Sequence, residues 1–299
     1  MLAQKFNPRE VKQELNSMLR GLIVSEANST LFVGDLSSIE ARLTFWLAGD
    51  YKTCQDYNNK IDLYQNFGNS LPLPKIYDLK QKRQLGKQGI LSLGYGMGEV
   101  KFYEQALKPN HINDRKLASL VVSQYRQKFN LVCKSWRTLE ESFVSVLKEK
   151  KKKIVYFPFT NIEVEYITFK SFTNNNLEFL TLKLPSGRKI YYPFPRLTSE
   201  NKISYQSTRG EVFLWGGIIL ENLIQGLSRD VIREMVIKVS KVEILDLLFT
   251  EHDSIITNCL NKNKKEGLRI FTEIMNTNPS FIKEVNIVSE IQESKRFLK

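Results

Sequence analysis

Between Asp78 and about Lys150 the chain is patterned for helix almost throughout and carries no strand signal, while the segments on either side alternate helix and strand. A helical stretch of that length, set between two mixed regions, predicts one α+β domain interrupted by an α-helical one. The expected organisation is therefore residues 1–76, a helical part over 77–153, and a second mixed part over 154–299. No internal repeat and no Pro/Gly linker cuts the chain elsewhere, and 299 residues suffice for one large domain or two interleaved smaller ones.

Within the first part, residues 10–22 predict an amphipathic helix. Leu31–Val33 is a short apolar strand ending at Gly34-Asp35, and Ser37 opens a helix with Ile39, Leu43, Trp46 and Leu47 on one stripe. The run Lys148–Lys153 reads as a solvated helix end. After it, Ile154–Phe159, Glu163–Ile167, Leu177–Leu184 and Lys189–Tyr192 read as strands, 213–239 as helix, Leu245–Phe249 and Ser254–Thr257 as paired strands, and Glu266–Met275 as a last helix.

The charge narrows the function. A formal net charge of +12 suits a polyanionic partner, most simply nucleic acid. Three scattered cysteines argue against a disulfide framework and a zinc site, and for a reducing compartment. With two histidines, His111 and His252, any metal must be held mainly by oxygen, which points to Mg²⁺ or Mn²⁺. No run reaches the length of a membrane span and no signal-peptide core is present, so a soluble intracellular protein is expected.

Three segments have the makings of a site. In Asp35-Leu36-Ser37-Ser38-Ile39-Glu40-Ala41-Arg42, an Asp closes a buried strand, a position suited to a metal ligand; Ser37-x-x-Glu40 reads equally as a capping box. In Arg83-x3-Lys87-x3-Leu91-x3-Tyr95, four-residue steps on a helix form one stripe of roughly 18 Å, with cations near the helix start and an apolar then aromatic pair further on. That suits a ligand with phosphates at one end and a flat ring at the other; the competing reading is a core stripe with snorkelling cations. The glycines around it (Gly86, Gly89, Gly94, Gly96, Gly98) imply close backbone approach or movement. In Glu251-His252-Asp253-Ser254, a tight hairpin puts Asp253 near its tip, where an Asp also serves local turn chemistry. Together, Asp35 and Asp253 would form a magnesium site of the two-metal kind.

In this order, the three segments resemble the three polymerase motifs of the A-family DNA polymerases of bacteria and bacteriophages. The likeness extends to Asp62-Leu63-Tyr64, Leu184–Arg188, Tyr192–Arg196, Gly216–Gln225 and Asn276–Ser280, and so covers nearly the whole chain. It implies an antiparallel-sheet palm (1–76 and 154–299) interrupted by helical fingers (77–153). It further implies two Mg²⁺ ions held by Asp35, Asp253 and the carbonyl of Leu36, and a triphosphate held by Lys87 and Arg83. Leu91 and Tyr95 would pack the sugar and base, Glu40 would exclude a ribose 2′-OH, and Gln225, His252 and Arg42 would contact DNA. The helix over 80–97 would rotate inward on a correct nucleotide.

The resemblance makes primer–template DNA and dNTPs the expected partners, in the cytoplasm of a bacterial or phage-infected cell. Departures from the family pattern are Ser254 in place of Glu and Leu91 in place of an aromatic. The chain opens at a segment resembling the inside of the palm, so a second polypeptide carrying thumb and exonuclease is expected. The alternatives are a catalytically impaired nucleic-acid-binding fragment of the same fold, and a single-subunit RNA polymerase, which Glu40 opposes.

Overall fold

The computed structural model describes residues 20–171 and 175–297; the helix expected over 10–22 lies almost entirely outside them. In chain order the elements are β1 (Ser29–Leu36), α1 (Ile39–Ala48), α2 (Tyr51–Asn58), α3 (Leu63–Ser70), α4 (Leu79–Leu93), α5 (Glu99–Phe102), α6 (Arg115–Lys128) and α7 (Asn130–Glu149). They continue as β2 (Lys153–Tyr156), β3 (Asn161–Lys170), β4 (Asn176–Lys183), β5 (Lys189–Pro193), β6 (Arg196–Leu197), β7 (Ile203–Ser207) and β8 (Gly210–Leu214). Last come α8 (Gly216–Val239), β9 (Asp246–Glu251), β10 (Ser254–Leu260), α9 (Lys264–Met275) and β11 (Ser289–Ser294). The protein is α+β, with antiparallel sheets and a helical stretch from Leu79 to Glu149, as the patterning predicts.

The chain divides into two compact units. Among the described residues, the first comprises 20–39, 229–279 and 287–297; the second comprises 40–171, 175–228 and 280–286.

In the first unit, a four-stranded sheet runs β11-β1-β10-β9. β1 is buried along nearly its whole length, which its apolar Leu31-Phe32-Val33 core dictates. Leu31 and Val33 pack on one face with Ile256 and Phe297, while Phe32 stacks on Phe271 of α9 on the other, ring centroids 6.1 Å apart. Gly34 lets the strand approach that helix: a Cβ there would meet Met275 and Phe271 at 3.0 Å. β11 escaped the sequence reading because Ser-Glu-Ile-Gln-Glu-Ser has little apolar content. It is held by its ladder to β1 and led in by Asn276 and Asn278, whose side-chain carbonyls accept from the N–H groups of Ser289 and Ile287.

In the second unit, β2–β5 form an antiparallel sheet and β6–β8 a smaller one. Val155, Ile162, Val164, Leu180, Leu182 and Tyr192 alternate onto the buried face of the larger sheet, where Phe143 of α7 meets Tyr192 edge-on at 5.5 Å. The helices enclose an aromatic cluster of Phe45, Tyr57, Phe67, Tyr125 and Phe129. α3 and α4 cross at a pair of glycines. A Cβ on Gly68 would lie 1.9 Å from the carbonyl oxygen of Lys82, and one on Gly86 would lie 1.9 Å from that of Tyr64. Only residues without a side chain permit helix backbones to come that close.

Two local expectations gain detail. At the start of α1, which begins at Ile39, Ser38 takes a left-handed φ of 53°, and the Glu40 carboxylate accepts from Tyr95 and Gln225, far along the chain. The helix expected over 80–97 ends at Leu93: Gly94 keeps helical angles as the C-cap, Gly96 (φ 77°) turns the chain, and Tyr95 lies beyond the last helical residue.

Candidate active site

In the first unit, the β1–β10 ladder brings Asp35 opposite Ser254, next in sequence to Asp253. Asp253 sits in the two-residue turn between β9 and β10, beside His252, which is exposed and takes a φ of 52°. The N–H of Leu36 donates to the carbonyl of Asp253 at 3.1 Å, so backbone geometry clasps the end of β1 to the turn. The buried Ser254 hydroxyl donates to Asp35 Oδ1 at 2.5 Å. Both carboxylates are partly exposed. Across the four strands, Glu251, Ser254, Asp35 and Glu290 are successive cross-strand partners and so share one face of the sheet. Glu251 accepts from Arg20 at 2.7 Å, and its other oxygen is buried with no hydrogen-bond partner among the described residues.

These donors are hard oxygens. Among the described residues no three His, Cys, Asp or Glu side chains gather as a metal-binding cluster. Magnesium at nucleotide sites is commonly held by one or two carboxylates together with substrate phosphates and water, so an Asp pair at a strand end fits that ion and does not fit zinc.

In the second unit, α4 carries Arg83, Lys87 and Leu91 on one exposed stripe, and Asp78 caps its start with a capping box to Gln81. Lys87 is exposed, and Leu91 retains 47% of its surface. Arg83 is tied to Asp62 at 2.6 Å and lies over the Tyr64 ring. Burial works to raise the Asp62 carboxyl's pKa, but hydrogen bonds from Arg83 and from the Gln65 and Tyr64 backbone hold it below its usual value. Sequence reasoning singled out Asp62-Leu63-Tyr64 without seeing that this segment caps α3 and positions Arg83.

The glycines have concrete neighbours. Gly86 and Gly89 admit α3, Gly96 admits Trp215, and Gly217 admits the Tyr95 carbonyl. Tyr95 donates to Glu40 Oε2 at 3.0 Å, and Gln225 donates to Glu40 Oε1 at 2.7 Å. Two residues remote from each other in sequence thus meet on one carboxylate. Burial, then the Glu40 charge, push the Tyr95 phenol far above its ordinary range, so it stays protonated and donating. Arg42 is turned inward: it is 7% exposed, its guanidinium lies 4.4 Å over the Tyr57 ring, and it donates to the Asn286 carbonyl.

With this geometry in hand, comparisons with known proteins give a consistent picture. The chain is similar to a DNA polymerase of Bacillus phage SP02, 22% identical over 253 residues that make up 84% of this chain and 39% of the relative. Its structure is similar to the POL domain of Pol1 from M. smegmatis, solved in complex with DNA primer–template and dNTP. The TM-score is 0.61 at 17% identity, covering 95% of this chain and 43% of that one. The chain has the fold of a DNA polymerase domain. No protein-family model matches it. It spans 39% of the phage relative and 43% of the solved structure, and both matches run through nearly all of it. Among the described residues, no helix is long and apolar enough to cross a membrane.

Proposed function

We propose that this chain is the palm-and-fingers catalytic core of a DNA-directed DNA polymerase, transferring dNTPs to a primer 3′-OH. The palm would comprise 1–76 and 154–299 and the fingers 77–153. The observation that supports this reading most is the pairing of β1 with β10, which sets Asp35 opposite Ser254, 219 positions away and next to Asp253. The polymerase fold and the phage relative point the same way.

In this reading Asp35, Asp253 and the Leu36 carbonyl would hold two Mg²⁺ ions, with Mn²⁺ as a substitute. Bound there, such ions would supply charge stabilisation for the attacking 3′-oxygen and the leaving pyrophosphate; the 3′-OH gives its proton to solvent, its oxygen bonds to the α-phosphorus, and the bond to pyrophosphate breaks. Lys87 and Arg83 bind the triphosphate and offset the charge that grows on the leaving group. Leu91 and Tyr95 receive the sugar and base. Glu40, with both oxygens engaged by Tyr95 and Gln225, is held rigidly enough to exclude a ribose 2′-OH, which favours DNA over RNA synthesis. Gln225 and His252 are exposed where the resemblance calls for DNA contacts. A second polypeptide carrying thumb and exonuclease belongs to the same proposal, and stimulation of extension by such a chain would support it.

The test is primer extension with Mg²⁺, dNTPs and, in a parallel arm, NTPs. Asp35→Ala and Asp253→Ala are expected to reduce extension to background while leaving the circular dichroism spectrum unchanged. Unimpaired extension by both variants would refute the assignment. Tight duplex binding without any incorporation by the native chain, even beside a thumb-bearing partner, would favour a catalytically impaired fragment.

A further inference from the structure

We infer that Ser254 is the positioning residue for Asp35, fixing the orientation in which that carboxylate meets a divalent cation; the inference rests on the polymerase reading of the Asp pair. Ser254 has no exposed surface, lies directly across the ladder from Asp35, and places its hydroxyl 2.5 Å from Oδ1. A hydroxyl has one proton to give, and here it goes to a charged acceptor. Hydrogen bonds of this kind are short and roughly twice as strong as neutral ones. The bond fixes the rotation of a carboxylate whose backbone is already clamped, because Leu36 is tied to the Asp253 carbonyl on one side and Gly34 is packed against α9 on the other.

The face on which this happens explains why a hydroxyl stands there. Glu251, Ser254, Asp35 and Glu290 are lateral neighbours, so an acid at position 254 would complete an unbroken row of four carboxylates. Like charges directly opposite each other on a sheet repel. Glu251 already occupies the far side of the hairpin, with one oxygen on Arg20 and the other buried without a hydrogen-bond partner. In this hairpin the acid stands on β9 and the hydroxyl on β10, so Asp35 gains a donor where a third carboxylate would have competed with it. Groups that orient a metal ligand typically change metal affinity by about 10- to 100-fold when removed.

The experiment is an Mn²⁺ titration of the full chain, read by the electron paramagnetic resonance signal of the free ion, alongside the Mg²⁺ dependence of primer extension. Ser254→Ala is expected to weaken Mn²⁺ binding about 10-fold and to raise the half-saturating Mg²⁺ concentration, with much of the extension rate recovered at saturating metal. Ser254→Thr keeps the hydroxyl and should stay near the native value, whereas Ser254→Val, of the same shape without the donor, should behave like Ser254→Ala. This Thr/Val pair decides the matter if the alanine variant fails to fold. Equal metal dependence in Ser254→Thr and Ser254→Val, with both differing from the native chain only in melting temperature, would overturn the inference. An unchanged Mn²⁺ affinity in Asp35→Asn would instead overturn the reading on which it rests.

Discussion

The β1–β10 hairpin region and the α4 stripe present opposite charges by opposite means. The carboxylates stand at the end of a sheet whose ladder, backbone clasp and Ser254 bond leave them little conformational freedom. The cations of α4 project from an exposed helix face, and Arg83 is oriented only by a side-chain pair with Asp62, both partners about half exposed. A cation site gains from rigidity, because misplaced charge costs affinity directly. If α4 clamps a triphosphate as proposed, side chains that close on a substrate gain from being held weakly beforehand. What is rigid in α4 is its backbone seat on α3.

The sharpest way to break this contrast is to disturb that seat. Gly86→Ala places a methyl 1.9 Å from the Tyr64 carbonyl, and overpacking of that severity should cost about 3 kcal/mol, read as a fall in denaturant midpoint. Tolerance of the substitution would mean that α4 is as loosely held in its backbone as in its side chains. Lys87→Ala should leave stability alone and lower kcat/KM for dNTP on the order of 10²-fold. An unchanged value would remove α4 from the phosphate site. Tyr95→Phe removes one of the two donors to Glu40, a loss of about 1 kcal/mol of positioning. It should appear as a weaker preference for dNTP over NTP in competition assays, and an unaltered ratio would show that Gln225 alone suffices.

The smallest effect concerns pH. Asp62 titrates below its ordinary value of 3.8 in the folded chain, so the Asp62–Arg83 pair contributes stability that is fully present above 3.8 and is lost as pH falls through the lower folded value. Asp62→Asn should flatten that part of the acid-unfolding curve. Because the pair is largely solvated, the change should be slight and weaker still at high salt.

Legibility followed the strength of local pattern. β1 was readable because Leu31-Phe32-Val33 is a compact apolar run closed by Gly34-Asp35, and α4 because its stripe repeats every four residues. β11 was not, since an edge strand of serines and glutamates is held by backbone bonds that leave no hydrophobic trace. The end of α4 comes a few residues earlier than the pattern implies, because the four-residue spacing continues through Tyr95 while Gly96 turns the backbone away. Ser37 and Glu40 fit the spacing of a capping box, which gives no sign that Glu40 accepts from Tyr95 and Gln225, partners 55 and 185 positions away.

The amino-acid order by itself determined the alternation of mixed and helical regions, the positions of the two aspartates at a strand end and a hairpin turn, and the cationic stripe. Each depends on contacts within a turn or a strand. Tertiary structure alone decided which side chains share a face: that Ser254 rather than an acid adjoins Asp35, that Glu40 is gripped from both sides, and that the glycines of α3 and α4 admit each other. Those outcomes depend on ladder register and on backbone separations of a few ångströms between segments remote in the chain, which no local periodicity encodes.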